Sequence, residues 1–144
     1  MRTNKFILLV AMLGGLAVQH ASAADLVVIA HPDLQISSIT IEELRGVFLG
    51  VRTSLKNAGP VQPILKTSSA ELTRFSAEYL GKSEAALRTY YRSLVFTGKW
   101  SVPVTLNSDA EVIAYVARTR GAVGFIEATS ITPGVKILKV TKGP

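Results

Sequence analysis

The chain has 144 residues and no cysteine, which excludes disulfide bonds, thiolate catalysis and cysteine metal sites. It has two histidines, His20 and His31, so a histidine-based metal cluster is excluded as well. The formal net charge of +6 suits an anionic ligand or an acidic surface, but it is also common in proteins that have neither.

The N-terminal segment, residues 1–23, has the pattern of a secretory signal peptide. Arg2 and Lys5 precede an apolar run over 6–18, and residues 21–23 (Ala-Ser-Ala) supply the small-x-small cleavage pattern. We expect cleavage after residue 23, because the apolar run is shorter than the ~20 residues that span a bilayer. An uncleaved membrane anchor is the alternative. The remainder, 24–144, is expected to be one periplasmic domain with no later membrane insertion.

Four apolar runs predict strands. Buried strands are expected over 25–30, 61–65 and 122–126, and an alternating one over 135–140. Helix start and stop signals separate them, and the segments 51–60 and 99–107 read as loops. The signals are Thr40 with Glu43 and Gly50, Ser68 with Glu71 and Gly81, Ser83 with Gly98, and Ser108 with Glu111 before Arg118.

The spacing of apolar residues predicts which faces of the helices are buried. The inward residues are Leu44, Val47 and Phe48 in the first helix, Leu72, Phe75, Tyr79 and Leu80 in the second, and Leu87, Tyr91, Leu94 and Val95 in the third. Together, the strands and helices predict an α/β fold in which helices flank a small mixed sheet.

The best candidate for a ligand site is Lys66-Thr67-Ser68-Ser69, which leaves a strand and enters a helix. Amides at a helix N-terminus lack intrahelical partners, and the helix dipole favours an anion there. Three hydroxyls and an ammonium group could complete a cradle for an oxyanion. The alternative is that Ser68 only caps the helix with Glu71, and that Lys66 is a solvated surface charge.

Other polar or aromatic residues have structural interpretations that are at least as good. Arg88, Arg92 and Lys99 suggest a basic patch or a solvated helix face, and Arg118 and Arg120 suit the end of a helix. Trp100 could stack on a ligand or pack under its loop, and His31 ends a strand, where ligands often bind in α/β sheets.

Enzymatic activity is not expected. The sequence has no paired-carboxylate motif, nucleophile elbow, glycine-rich phosphate loop or metal signature, and we predict no cofactor. A hydrolase without a recognisable motif is the rival interpretation. Nucleic acid is not an expected partner, because the basic residues are not interleaved with aromatics.

Two segments resemble the periplasmic phosphate-binding proteins of ABC transporters. Residues 119–127 (T-R-G-A-V-G-F-I-E) resemble that family's T-P-G-x-I-G-Y segment, and residues 43–50 (E-L-R-G-V-F-L-G) resemble its E-L-x-x-I-F-x-G helix. The order and separation of the two segments also fit. In the family, a strand-to-helix junction of the form R-x-D-x-S-G-T-x-x-F holds the oxyanion. The resemblance places Lys66 near its arginine, Ser68 or Ser69 near its serine and Phe75 near its phenylalanine.

The resemblance implies one lobe of a type-2 periplasmic binding protein. The expected function is non-enzymatic binding of phosphate or a similar oxyanion through Lys66, Thr67, Ser68 and Ser69, with a transporter or envelope protein as a further partner. The acidic residue and the Gly-Thr pair of the family's junction are absent here. The alternative is therefore an interaction module that keeps the fold and has lost the ligand.

Overall fold

The computed structural model of the protein describes residues 25–144, and the predicted signal segment lies outside them. The strands are β1 (Leu26–Ala30), β2 (Ser38–Thr40), β3 (Ser54–Leu55), β4 (Gly59–Pro60), β5 (Gln62–Lys66), β6 (Val104–Leu106), β7 (Ala122–Glu127) and β8 (Lys136–Thr141). The helices are α1 (Ile41–Phe48), α2 (Ala70–Phe75), α3 (Glu84–Phe96) and α4 (Asp109–Arg118). A π-helical turn (Ser76–Leu80) continues α2, and a 3-10 turn (Ala128–Ser130) follows β7.

Six strands form one mixed sheet in the order β2-β8-β1-β7-β5-β6. Strand β1 is antiparallel to both of its neighbours, whereas β5 is parallel to β6 and β7, and β2 is parallel to β8. Strands β3 and β4 form a separate two-stranded hairpin. The prediction of an α/β fold with a small mixed sheet flanked by helices is confirmed.

The sheet has a hydrophobic cluster on each face, because successive side chains of a strand point to opposite faces. Val28 and Ala30 of β1 join the larger cluster with α1, α2 and α3, while Ile29 joins Val112 and Val116 of α4 on the other face. Among the helices of residues 25–144, α4 is therefore the only one that packs on this second face. This arrangement explains why the central strands read as continuous apolar runs.

Strand β7 is the centre of the core and explains both glycines of the 119–127 segment. The rings of Phe125 and Phe75 stack at 4.0 Å, which fixes α2 on one face of the sheet. Gly124 faces α4, where a Cβ atom would lie 2.9 Å from Val112 Cγ1. Gly121 has a φ of +78°, and a Cβ there would lie 2.5 Å from the Pro60 carbonyl oxygen. Both positions require glycine, one for packing and one for the turn.

The capping predictions hold at α1 and need correction at α2 and α4. Thr40 and Glu43 form the predicted capping box. Helix α2 starts one residue later than predicted, since the Ser69 hydroxyl, not that of Ser68, accepts a hydrogen bond from the Leu72 amide. Leucine at that third position has no carboxylate, so α2 has no capping box. Ser108 caps α4, but the Glu111 carboxylate accepts from the Asn107 amide.

Two loop predictions were wrong. The predicted loop at 51–60 contains the β3–β4 hairpin, and the predicted loop at 99–107 contains β6. Strand β2 (Ser38–Thr40) was not predicted. The inward position predicted for Val95 is also wrong, because its side chain is exposed. The core includes Leu87 and Tyr91 of α3 but no residue of its last turn, so the helix extends beyond the surface that it packs on.

Candidate functional site

The predicted ligand residues lie at the junction between β5 and α2. Lys66 is the last residue of β5, and α2 begins at Ala70, after its cap Ser69. The Thr67 amide donates a hydrogen bond of 2.9 Å to the Leu106 carbonyl of β6. The junction is therefore fixed against the edge strand, at the carboxyl ends of two parallel strands, where open α/β sheets often bind ligands.

Lys66 is a buried cation held by two carboxylates. Its side chain is only about 6% exposed, and its Nζ lies 2.5 Å from Asp109 Oδ1 and 3.8 Å from Glu71 Oε1. The other oxygen of Asp109 accepts a hydrogen bond from the Glu127 amide at 3.1 Å. The interpretation of Lys66 as a solvated surface charge is wrong. Its ammonium group instead connects β5, α2, α4 and β7.

The two carboxylates have lowered pKa values. Burial raises the pKa of Asp109, but hydrogen bonds from Lys66, Ser130 and the Glu127 amide outweigh burial and leave the pKa below its ordinary value. The pKa of Glu71 is lowered mainly by a hydrogen bond from its own backbone amide, and further by Ser69 and Lys66. Both groups are therefore ionised at neutral pH, which keeps the cluster charged.

The two serines of the junction have different environments. The Ser69 hydroxyl is the N-cap of α2 and is half-buried, whereas Ser68 is exposed. Hydrogen bonding from Ser68 is the largest cause of the lowered pKa of Glu84 of α3. Thr73 and Arg88 contact the same carboxylate at 3.0 Å and 3.2 Å. Ser68 thus joins a polar bridge between α2 and α3.

The junction opens onto a cleft of ≈ 290 Å³ between β5, α2 and α3. Lys66, Thr67 and Ser68 line this cleft together with Glu84 and Arg88, and Ser69 is not among its lining residues. Most of the remaining lining is apolar, from Leu72, Leu87, Tyr91 and Val102. The structure therefore brings together three of the four predicted residues at the polar rim of an otherwise apolar cleft.

Glu84 and Asp109 are cleft or cluster residues that sequence reasoning did not select. Each is the first residue of a helix, where an acidic side chain is already explained by the helix dipole. The signal that could have distinguished them from ordinary helix-start residues is ion pairing, of Asp109 with Lys66 and of Glu84 with Arg88. Lys66 and Asp109 are 43 positions apart, so a sequence alone does not show that pairing.

The other candidate residues have structural contacts. Trp100 packs directly on Gly50, where a Cβ would lie 2.6 Å from the indole ring, so the packing interpretation holds. His31 Nδ1 accepts a hydrogen bond from the Asp33 amide. Arg120 pairs with Asp33 at 3.5 Å, and the Arg118 guanidinium lies over the Tyr115 ring. Arg88 pairs with Glu84 on the exposed face of α3.

Residues 25–144 contain neither a candidate metal centre nor a candidate membrane-spanning helix. This part of the chain contains no group of three His, Cys, Asp or Glu side chains that could hold a metal ion. It also contains no helix with the length and apolar character needed to cross a bilayer.

The fold is shared with solved phosphate-binding proteins. An ABC-type phosphate transport receptor from Vibrio cholerae matches with a TM-score of 0.65 and 20% identity, over 84% of this chain and 48% of that protein. A putative phosphate ABC transporter substrate-binding protein with bound phosphate, from Clostridium perfringens, matches with a TM-score of 0.64 and 17% identity, over 84% and 46%. PstS from Borrelia burgdorferi matches with a TM-score of 0.63 and 20% identity, over 84% of this chain and 49% of that protein.

These similarities establish the fold of one lobe. The chain spans about half the length of each of the three proteins. No protein-family model matches the chain, and no curated protein matches it in sequence. At this level of identity, the similarity shows a shared fold and does not show a shared function. The predicted fold of a single lobe is confirmed.

Proposed function

We propose that the protein is a non-enzymatic binding protein for phosphate or a similar oxyanion, exported to the periplasm and associated with ABC-type phosphate uptake or sensing. The observation that carries this proposal is the coincidence of two features. The fold is that of solved phosphate receptors, and the β5–α2 junction presents hydroxyl groups at the rim of a cleft. Neither feature alone would select an oxyanion.

The proposed ligand contacts are Lys66, Thr67, Ser68 and Ser69. The hydroxyls of Thr67 and Ser68 lie at the cleft, and the first amides of α2 lack acceptors within the helix. Ser69 contributes by fixing the start of α2 through its cap. Because Glu84 lines the same cleft as Ser68, and Lys66 is paired with Asp109, the ligand must compete with carboxylates of the protein. This competition predicts weak binding by the chain alone.

The local charge indicates which oxyanion is favoured. The cations Lys66 and Arg88 face the carboxylates of Glu71, Glu84 and Asp109, which leaves the surroundings of the junction one charge negative. A carboxylate accepts hydrogen bonds but cannot donate one when ionised. Hydrogen phosphate carries a proton that it can donate to such a group, and sulfate at neutral pH carries none. We therefore expect phosphate to bind in preference to sulfate.

Isothermal titration of the purified protein with phosphate and with sulfate tests this proposal. We expect Thr67→Val and Ser68→Ala each to weaken phosphate binding about tenfold, equivalent to about 1.4 kcal/mol, because each removes a hydrogen bond to a charged ligand. Ser54→Ala, at an exposed position in β3, is the matched control and should bind as the wild type does. Equal affinity in all three variants, or no heat from the wild-type protein, would contradict the proposal.

The second candidate is an interaction module that has kept the fold without the ligand. The specific observation in its favour is the buried ion pair, since the only lysine of the junction is already neutralised by Asp109 and Glu71. Titration separates the two candidates. An interaction module gives no phosphate signal at any concentration that saturates a weak site, while its stability and fold stay normal.

A further inference from the structure

The segment 85–108, which comprises most of α3 and the chain from α3 to the start of α4, has an unusual charge pattern. From residue 85 to residue 108 the chain contains no aspartate or glutamate, and its charged residues are Arg88, Arg92 and Lys99. Arg88 is paired with Glu84, four positions earlier in α3. Within residues 25–144, neither Arg92 nor Lys99 takes part in an ion pair. Two uncompensated cations therefore lie on this segment.

The same segment carries four of the seven large apolar side chains that are exposed within residues 25–144. Phe96 is 92% exposed, Val102 is 53% exposed and Val95 is 46% exposed. Arg92, Val95 and Phe96 follow helical spacing and so share one side of α3, and Lys99 follows shortly after the end of this helix. A largely exposed phenylalanine beside two exposed valines is a feature of binding surfaces in otherwise well-packed proteins.

Arg92, Val95 and Val102 border a groove, and Phe96 and Lys99 are not among its lining residues. A second cleft of ≈ 340 Å³ lies between Arg92, Val95 and Val102. It shares Arg88, Tyr91 and Val102 with the cleft of ≈ 290 Å³ at the β5–α2 junction. Val102 thus lines both clefts, and the groove runs along α3 with mostly apolar walls and with the cations Arg88 and Arg92 among its lining residues.

The groove also lies beside the free edge of the sheet. Strand β6 is the last strand in the order and pairs only with β5 in the described part of the chain. Val104 at the start of β6 is 37% exposed. An edge strand offers unpaired backbone groups to an extended polypeptide, which is a common mode of peptide recognition.

We propose that this groove binds an extended segment of another protein, in which apolar side chains alternate with or are flanked by aspartate and glutamate. The apolar side chains fill the groove against Tyr91, Val95 and Val102, and the carboxylates pair with Arg92 and Lys99. Such pairing chiefly sets specificity and the rate of association. The groove shares Arg88, Tyr91 and Val102 with the cleft at the β5–α2 junction, but neither Arg92 nor Lys99 lines that cleft, so substitutions at these two cations test the peptide surface separately from oxyanion binding.

Other occupants fit less well. A second copy of this chain in a two-fold dimer would present the same patch on both sides, which would bring Arg92 and Lys99 of one copy close to those of the other. A membrane surface suits protruding apolar groups such as Phe96, but the surface of a bilayer is too flat to fill a groove between α3 and Val102. Charge and shape together therefore favour an acidic, apolar polypeptide.

Selection from a displayed library of random short peptides on the wild-type protein tests this proposal. We expect enriched peptides to combine acidic and apolar residues. In titration, a synthesised enriched peptide should bind the Arg92→Glu/Lys99→Glu variant at least tenfold more weakly than the wild type, and Val102→Ser should also weaken binding. Lys139→Glu/Lys142→Glu reverses two exposed charges near the other edge of the sheet and is the matched control, expected to bind normally.

Several outcomes would overturn the proposal. They are enrichment of basic peptides or of none, equal binding by the Arg92→Glu/Lys99→Glu variant, and concentration-dependent dimerisation that this variant abolishes. Binding to phosphatidylglycerol vesicles that this variant loses, without peptide binding, would assign the surface to a membrane instead. All substituted positions except Val102 carry charged, solvent-exposed side chains, and circular dichroism of each variant confirms that the fold is retained.

Discussion

Lys66 at the end of β5 and Asp109 at the start of α4 form an ion pair with 2.5 Å between Nζ and Oδ1. The pair is mostly buried and connects strand β5 of the sheet to helix α4, which packs on one face of that sheet. Its position explains why β5, α4 and β7 meet at one point, since Asp109 also accepts the Glu127 amide. The same pair determines how available Lys66 is to a ligand.

Removing one partner of this pair should destabilise the protein more than removing both. Lys66→Met leaves the Asp109 carboxylate without its counter-ion, and we expect a loss of about 3 kcal/mol in the free energy of unfolding. Lys66→Met/Asp109→Asn removes both charges and should recover at least half of that loss. Urea unfolding measures both values.

The control for this pair is Lys139→Met, which removes an exposed lysine of β8 and should change stability by less than about 0.5 kcal/mol. If Lys66→Met proved no more destabilising than Lys139→Met, the ion pair would not contribute to stability in solution.

The sequence predicted the parts of the fold that depend on local patterns. The four long strands and the Thr40–Glu43 capping box are set by runs of apolar residues and by neighbours three positions apart. Strands β2 and β6 have three residues each, and their pairing comes from β8 and β5 rather than from their own composition. Lys66 resembled a surface lysine for the same reason, because its partner Asp109 is distant in the chain.

Lowering the pH should reduce the free energy of unfolding through Asp109. Its pKa is lowered in the folded protein from an ordinary value of 3.8. A lowered folded pKa stabilises the protein above the unfolded pKa, and that contribution is lost as the pH falls from about 4 through the folded value. The Lys66→Met/Asp109→Asn variant lacks this group.

We therefore expect the unfolding free energy of the double variant to fall less steeply than that of the wild type between about pH 4 and about pH 2, where aspartate side chains titrate. Urea titrations at a series of pH values give both curves. Parallel curves for the two proteins would show that the titration of Asp109 is not linked to folding.

Replacement of the two junction serines by alanine should have different effects on the free energy of unfolding, because Ser69 caps α2 and Ser68 is exposed. Ser69→Ala removes the hydroxyl that accepts the Leu72 amide and should cost about 1 kcal/mol, as the loss of an N-cap does. Ser68→Ala removes an exposed side chain and should cost less than about 0.5 kcal/mol. Thermal or urea unfolding gives both values, and the reverse order would place the N-cap of α2 at Ser68 instead.

Alanine at two left-handed glycines should distinguish conformational strain from collision. Gly98 has a φ of +67° with open space around the missing Cβ, whereas Gly121 has a φ of +78° with the Pro60 carbonyl oxygen 2.5 Å from that position. Gly98→Ala should therefore cost about 1 kcal/mol, which is the strain of alanine in the left-handed region. Gly121→Ala adds a backbone collision where β7 begins beside β5, and we expect a loss of about 3 kcal/mol or more. Urea unfolding of the two variants measures the difference, and equal losses would mean that the turn before β7 can shift away from Pro60 at little cost.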